Sequence, residues 1–262
     1  MSNITTQAAS SMTMPAGVLA RLAEDAKLAA ASERPAVGNF STQSGVLSYS
    51  GTPVPGNKIE LVIMTAAFRN VWYAGKFDRN NIVAPNCFAL SLSDSGMAPH
   101  ANVQEPGAAT CSTCPNNEWG SDPNGGRGKA CKQSRRLIML PADAIEKGAE
   151  AVMQAEFAKM DIPVTSVKNY SSYVNSLAAS ANVPTYAAIT EVSIVPDMKT
   201  QFKINFRPMR VLPTEEVLNA VLKRMDGAKA LALEPYTETA LLADAAAPVE
   251  EAPARTPAKK KF

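Results

Sequence analysis

The sequence is poor in the residues and motifs that most enzyme active sites use. Its 262 residues include a single histidine, His100, and no G-x-S-x-G nucleophile motif, phosphate-binding P-loop or dinucleotide-binding fingerprint is present. The triplet Asp197-Met198-Lys199 has the D-x-K form found in nucleases, but no Pro-Asp precedes it at a suitable spacing. The sequence therefore predicts a protein that is not an enzyme, and a nuclease is the catalytic alternative.

Excess charge and long apolar runs are also missing. The formal net charge is only +2, so any electrostatic attraction depends on where the charges lie. No stretch approaches the roughly 20 apolar residues of a membrane span, and the N-terminal residues lack the basic start and apolar run of a secretory signal. We therefore expect a cytoplasmic protein with no membrane partner, in a reducing compartment that disfavours disulfides.

The hydrophobic pattern divides the chain into four regions. Residues 1–36 are expected to be a disordered start followed by a helix, and 37–212 a β-rich core. Residues 213–235 should form a C-terminal helix starting near Thr214, and 236–262 an Ala- and Pro-rich disordered tail. Within the core, 142–160 and 165–181 read as helices between short strands. We expect an α+β, mainly β fold, such as an OB-like small barrel with peripheral helices.

Residues 93–130 contain few periodic apolar positions and many turn formers, and a loop of that length needs something to fix it. The four cysteines supply a candidate. Cys111 and Cys114 form a C-x-x-C pair, Cys131 follows 17 residues later, and Cys87 lies 24 residues before the pair. Thiolates suit zinc, which accepts four sulfurs in a tetrahedron. The spacing predicts that one Zn²⁺, bound by all four, holds this inserted loop.

Four thiolate ligands would leave zinc no open position, which favours a structural metal over a catalytic one. Several other interpretations remain. The C-x-x-C pair could be a thioredoxin-like redox pair, although it does not open a helix in a βαβ pattern. The cysteines could also be disulfide-bonded or unlinked in the core. His100 could replace Cys87 as the fourth ligand.

Basic residues cluster beside the cysteines, and aromatic residues lie nearby. The cations between 127 and 136 have no acidic residue among them, and a second such run contains Lys199, Lys203, Arg207 and Arg210. Clustered cations bind phosphate backbones, and exposed rings stack on unpaired bases. A solvated basic face and core aromatics, with Trp119 packed over the metal, are the alternative. The predicted nucleic-acid-binding residues are Trp72, Tyr73, Trp119, Arg127, Lys129, Lys132, Arg135, Arg136, Lys203 and Arg207.

The stretch "CPNNEWGSDPNGGRGKACKQSRRLIML" resembles a pattern of uncharacterised bacteriophage proteins. These carry C-P-x-N-x-[WF]-G-S, then G-[KR]-G-K-A-C-K and a basic-apolar strand, preceded by a segment like "APNCFALS". The resemblance covers about residues 37–210. Its cysteines match Cys87, Cys111, Cys114 and Cys131, and its loop matches Asn117, Trp119, Gly120, Ser121, Gly128 and Lys129. It implies a phage-encoded protein of DNA replication or recombination that binds single-stranded DNA in the host cytoplasm.

A looser similarity is to the zinc-containing single-stranded DNA-binding proteins of T-even phages, whose ligands include a histidine where this chain offers four cysteines. Many such proteins end in an acidic tail with a terminal aromatic that contacts replication partners. Phe262, Glu250 and Glu251 follow that habit, but the final "KKKF" reverses the charge. We therefore expect sequence-tolerant coating of single-stranded DNA, with phage replication or recombination proteins as partners of the tail. A zinc-stabilised protein-interaction or transcription-modulating protein is the alternative.

Overall fold

The structure is a computed structural model that describes residues 17–18, 21–22, 24–25, 37–75, 83–123 and 125–236. The chain folds as two units, Met1–Val37 and Gly38–Phe262. The described residues between 17 and 25 are helical, as predicted. The tail predicted for 236–262 lies outside the described residues, apart from Tyr236. No helix among the described residues is long and apolar enough to cross a lipid bilayer.

The second unit contains a curled, mixed half-barrel sheet with several helices, so the α+β class is confirmed. The described strands number nine. In chain order they are β1 (Gly38–Ser41), β2 (Ser48–Tyr49), β3 (Thr52–Pro53), β4 (Lys58–Trp72), β5 (Cys87–Ser91), β6 (Lys132–Pro141), β7 (Ala158–Ile162), β8 (Ala188–Asp197) and β9 (Gln201–Val211).

The strand order is β3-β2-β1-β7-β6-β4-β8-β9, and β5 pairs with the far half of β4. All neighbours are antiparallel except β1 and β7, which are parallel. Since no described pairing joins β3 to β9, the described sheet is open rather than closed into a barrel.

Five described α-helices pack on the sheet: α1 (Ala142–Glu146), α2 (Ala149–Gln154), α3 (Val164–Ala181), α4 (Glu215–Lys223) and α5 (Met225–Ala232). Helix α3 buries Tyr170, Tyr173 and Leu177 against one face of the sheet. The other four helices contribute Ile145, Val152, Val217 and Ala228, among others, to the cluster on the opposite face. The predicted C-terminal helix therefore belongs to the same compact unit as the sheet.

Strands β4 and β6 are buried on both faces where the helices cover them. Leu61 and Ile63 of β4 join the cluster beneath α3, whereas Val62 and Met64 join the opposite cluster. A strand covered on both sides reads as a continuous apolar run rather than an alternating one. The run "IELVIM" therefore marks the centre of the sheet.

The segment predicted as one helix over 142–160 is instead two short helices followed by β7. Ala158, Met160 and Ile162 of β7 are buried, and Lys159 and Asp161 alternate with them on the other face. Five alternating residues after an Ala- and Glu-rich helix give a weak strand signal. Pairing with β6 on one side and β1 on the other makes this segment a strand. In contrast, Thr214 caps α4 as predicted, accepting a hydrogen bond from the Val217 amide at 3.3 Å.

A partly buried ionic network ties β4, β6 and β7 to the last described residues. Asp161 accepts from Arg136 Nε at 3.1 Å and lies 3.2 Å from Arg69 Nε. Arg69 also donates to the Tyr236 hydroxyl and Arg136 to the Glu234 carbonyl. Burial would raise the pKa of Asp161, but the charges of Arg69 and Arg136 outweigh it and lower that pKa.

We expect Asp161→Asn to destabilise the fold by about 3 kcal/mol at pH 7, because it leaves two partly buried guanidinium groups without their carboxylate. A carboxylate with a depressed folded pKa stabilises fully above its unfolded pKa of about 3.9 and loses that contribution as the pH falls through the folded value. Urea unfolding at several pH values measures both effects. Asp226→Asn, which changes an exposed carboxylate on α5, is the control. Equal stability of Asp161→Asn and wild type at pH 7 would contradict this role.

Candidate functional site

All four cysteines line one small cavity at the far end of β4. Cys87 is the first residue of β5, opposite Trp72, and Cys131 directly precedes β6. Cys111 and Cys114 come from the loop between β5 and β6. One short 3-10 turn, Cys111–Thr113, begins at the first cysteine of the pair, and a second, Pro115–Asn117, directly follows the other cysteine. The cavity between the four residues has a volume of about 20 Å³, which is close to that of one water-sized sphere.

The thiols are free, since the structure contains no disulfide among them. The thiols are also close enough to affect one another. Burial is the larger cause and the neighbouring thiols the smaller one of a raised pKa at Cys87 and at Cys131, where the pKa is raised to about 12. Burial likewise raises the pKa of Cys111. Four neutral thiols can share this small space, whereas four thiolates would repel one another without a cation.

Polar groups lie beside three of the sulfurs. The Asn70 side chain lowers the pKa of Cys111, and the backbone groups of Gly107 and Val71 lower the pKa of Cys87 and Cys131, although burial outweighs each of them. Such groups stabilise the thiolate form and orient a sulfur ligand. Gly107 also lies beside the pair, since a Cβ there would be in van der Waals contact with Cys114 Sγ, at 3.5 Å. The chemistry of four sulfur donors and the size of the cavity they line suit a single zinc ion.

The sulfurs as placed do not form a finished coordination shell. Within the described part of the chain, no group of three or more His, Cys, Asp or Glu side chains is already arranged to hold a metal ion. All four cysteines nevertheless line the same cavity. One comes from β5, two come from the loop, and one directly precedes β6. His100 is not among its lining residues; the imidazole stacks on Phe88 with ring centroids 4.9 Å apart.

Hydrogen bonds connect distant parts of the loop near the cysteines. The Asn117 side chain donates to the Cys111 carbonyl at 2.7 Å, and the Cys131 amide donates to the Asn116 carbonyl at 2.7 Å. Ser121 Oγ accepts from the Ala130 amide at 2.9 Å. No strand or α-helix occurs in the described residues between β5 and β6. The loop therefore depends on polar contacts and on its cysteines rather than on an apolar core.

Trp119 lies at the surface of this loop, with 79% of its area exposed. Lys129 Nζ lies 5.1 Å from the centre of its ring, within the distance of a cation–π contact. Trp119 is not among the residues lining the cysteine cavity, whereas the half-buried Trp72 is. Tyr73, the next residue, is 40% exposed. The alternative in which Trp119 packs over the cysteines therefore does not match the structure.

The cations predicted to bind nucleic acid fall into different environments. Arg127 is exposed, and Lys129 donates to Asn117 Oδ1 and Gln133 Oε1 at 3.2 and 3.3 Å. Lys132 pairs with Asp122, and Arg135 is half-buried over the Phe68 ring. Arg136 is only 3% exposed and is held by Asp161. The expectation that Arg136 meets a phosphate backbone does not fit its burial on the opposite face of β6.

The predicted basic strip on β9 is already neutralised by carboxylates. Lys203 pairs with Asp197 at 2.8 Å, Arg207 with Glu191 at 3.1 Å, and Arg210 with Glu60 at 3.2 Å. Exposed pairs of this kind contribute little to stability, but they leave no free positive strip. The sequence showed the even spacing of Lys203 and Arg207; it could not show that acidic residues of β4, β8 and the hairpin turn face them.

The carboxylate of the D-x-K triplet has a structural role in that turn. Asp197 Oδ2 accepts hydrogen bonds from the Lys199 amide and from the amide and hydroxyl of Thr200. The hydrogen bonds from Lys203 and Thr200 lower the pKa of Asp197. These hydrogen bonds close the turn between β8 and β9, which accounts for the orientation of the Asp197 carboxylate.

Sequence reasoning missed several residues that shape the cysteine region. Asn70 lies in an apolar strand, and its role appears only when β4 pairs with β5 and the loop packs against that end. The Gly107 and Val71 amides are backbone groups and carry no sequence signal. In comparisons with known proteins, the chain matches no protein-family model, no curated protein and no solved structure.

We expect the two tryptophans to report different environments. In Trp119→Phe the remaining emission, from Trp72, should be blue-shifted and several-fold less accessible to acrylamide than that of wild type, because Trp72 is half-buried beside the cysteine cavity. Steady-state fluorescence with acrylamide titration measures this. Trp72→Phe should keep the red-shifted, strongly quenched emission, and the same quenching in both variants would contradict the exposure of Trp119.

Proposed function

We propose that this protein binds single-stranded DNA without strong sequence preference, through a loop held by a structural zinc ion. The observation that carries the proposal is the exposed Trp119 ring, with Lys129 and Arg127 in the same loop, which also contributes Cys111 and Cys114 to the cavity lined by the four cysteines. Base stacking needs an accessible π face, and a large ring left in solvent has no packing role in the described structure. Phosphate binding needs cations close to that ring, and the loop has them.

Zinc is the proposed reason that the ring has a fixed position. Cys87, Cys111, Cys114 and Cys131 would supply four thiolates, and the polar groups of Asn70, Val71 and Gly107 beside the sulfurs would orient them. Binding draws the sulfurs around the ion and joins the loop to β5 and β6. The free energy of metal binding then becomes stability of the loop.

The proposed DNA surface is smaller than the sequence suggested. It comprises Trp119, Arg127, Lys129 and Arg135. It leaves out Arg136, which is buried, and Trp72, which is half-buried. It also leaves out Tyr73, which acts on Arg69 at the opposite face, and three cations that are paired with carboxylates, Lys132, Lys203 and Arg207. The sheet is not closed into a barrel, so the proposed resemblance to an OB-like barrel concerns only how DNA is bound. In both cases a curled sheet and its loops would form the surface that contacts a single DNA strand. A role in phage replication or recombination belongs to the same proposal and rests on the resemblance of the cysteine loop.

We expect purified protein to contain one zinc ion per chain by elemental analysis, and its cobalt-substituted form to show thiolate-to-cobalt charge-transfer bands. Cys131→Ser should lose the metal and expose the loop to proteolysis, because it removes one of four ligands that close the loop. Ser112→Ala, between the C-x-x-C cysteines but exposed, should keep both. Metal-free protein whose loop resists protease would contradict the zinc proposal.

We expect Trp119→Ala to weaken binding of an oligo-dT by roughly 5- to 150-fold, the equivalent of losing one base stack worth about 1–3 kcal/mol. Fluorescence anisotropy of a labelled oligonucleotide measures the affinity, and wild-type affinity should fall steeply with salt. Leu222→Ala, which removes an exposed apolar side chain from α4, is the matched control.

The same titration separates the alternatives. A protein-interaction role predicts no salt-dependent binding to DNA at low ionic strength. A nuclease predicts strand cleavage with magnesium that Asp197→Ala abolishes. Either result would overturn the proposed function.

A further inference from the structure

A groove of about 430 Å³ opens beside the cysteine cavity, on the face of the sheet that carries α3. Its volume lies within the range of sites that hold small ligands. The groove and the cysteine cavity share three lining residues, Asn70, Cys111 and Asn117. The groove is therefore continuous with the base of the loop that carries Trp119.

Lys129 links the exposed ring to this groove. Its ammonium group lies over Trp119 and donates to Asn117 and Gln133, which both line the groove. A strand stacked on Trp119 would thus have a polar route inward along the loop. The route ends at α3, where the exposed Lys168 forms the outer wall.

Arg135 provides a cationic wall. It faces Phe68 across the β4–β6 pairing, and its guanidinium carbon lies 3.8 Å from the ring centre. The one described hydrogen bond of its side chain is donated to the Ser134 carbonyl at 2.9 Å, and no described ion pair includes it. Asp94 also lines the groove and acts on Arg135 electrostatically, from beyond ion-pair distance. Arg135 therefore keeps a charge that no carboxylate neutralises directly, in a half-buried place.

Amide side chains supply the groove with groups that suit an unpaired base. Gln133 accepts from Lys129 through Oε1, and its amide nitrogen has no hydrogen bond among those of the described residues. An amide offers both a donor and an acceptor, which are the groups that bind the exposed edge of a base. Guanidinium planes, in turn, stack on bases that have been turned out of a strand.

We propose that this groove binds one unpaired base of the strand together with its phosphate. The base packs beside the Arg135–Phe68 pair with its edge at Gln133, and the phosphate lies near Lys168. The inference rests on the proposed function and adds to it a second contact point beyond Trp119. The bound single-stranded DNA then runs from Trp119 in the loop, past the groove beside the cysteine cavity, to Lys168 on α3.

The test uses the full chain and two ligands of equal length, oligo-dT and an abasic deoxyribose-phosphate oligomer. Gln133→Leu should weaken oligo-dT binding by about five- to tenfold and leave the abasic affinity unchanged, because it removes the contact to the base edge while Lys129 keeps its hydrogen bond to Asn117. Lys168→Ala should weaken both ligands and lower the salt slope by about 1, the mark of one lost phosphate contact. Lys223→Ala, an exposed lysine at the end of α4 on the opposite face, should match wild type.

The outcomes distinguish this inference from the proposed function. Wild-type affinities for Gln133→Leu and Lys168→Ala, with binding still lost in Trp119→Ala, would overturn the groove and leave the function standing. Absence of binding by wild type at low salt would overturn both. If Gln133→Leu unfolds, Gln133→Glu keeps the shape and should weaken oligo-dT binding by charge repulsion, and Lys168→Ala alone still decides, since it lies on an exposed helix face.

Discussion

Strand β4 extends beyond the hydrophobic core that it crosses, and both candidate sites follow from this. Its first half carries Leu61 to Met64, buried between helices on both faces. Its second half, from Phe68 to Trp72, pairs with β5 and β6 but passes the region where α3 covers the sheet. Polar and aromatic side chains there need another cover. The loop between β5 and β6 provides it, and the four cysteines lie where that loop returns to the sheet.

The cysteine cavity and the apolar clusters stabilise the chain in different ways. The clusters bury side chains in proportion to apolar area, whereas the loop buries few and relies on hydrogen bonds and on sulfur. A loop of this kind gains order from a metal because one ion replaces many missing contacts. The same arrangement leaves Trp119 and Arg127 exposed at the surface, since no core recruits them. An exposed ring is one of the features that a base-stacking site requires.

The two faces of β4 and β6 differ in how their arginines are paired. Arg69 and Arg136 alternate with Phe68 and Arg135 along β4 and β6, so neighbouring residues point to opposite faces of the sheet. On one face the two arginines enclose Asp161 and hold Tyr236; on the other Arg135 remains without a described ion pair beside a groove. Two adjacent arginines in one basic run thus have unrelated roles. A count of local charge could not separate them.

The sequence alone determined the long apolar strands, the Thr214 helix start and the lack of periodicity in the loop, because these depend on neighbouring residues and on residue type. Tertiary structure decided the remainder. Strand β7 exists because β1 and β6 pair with it, the open sheet follows from strand order, and Asn70 meets Cys111 only when the loop closes over β4. Which cations stay unpaired was also a tertiary matter, since Glu60, Asp161 and Glu191 lie far in sequence from the arginines and lysines that they neutralise. Local pattern fixes an element's character; long-range packing fixes which side chains meet.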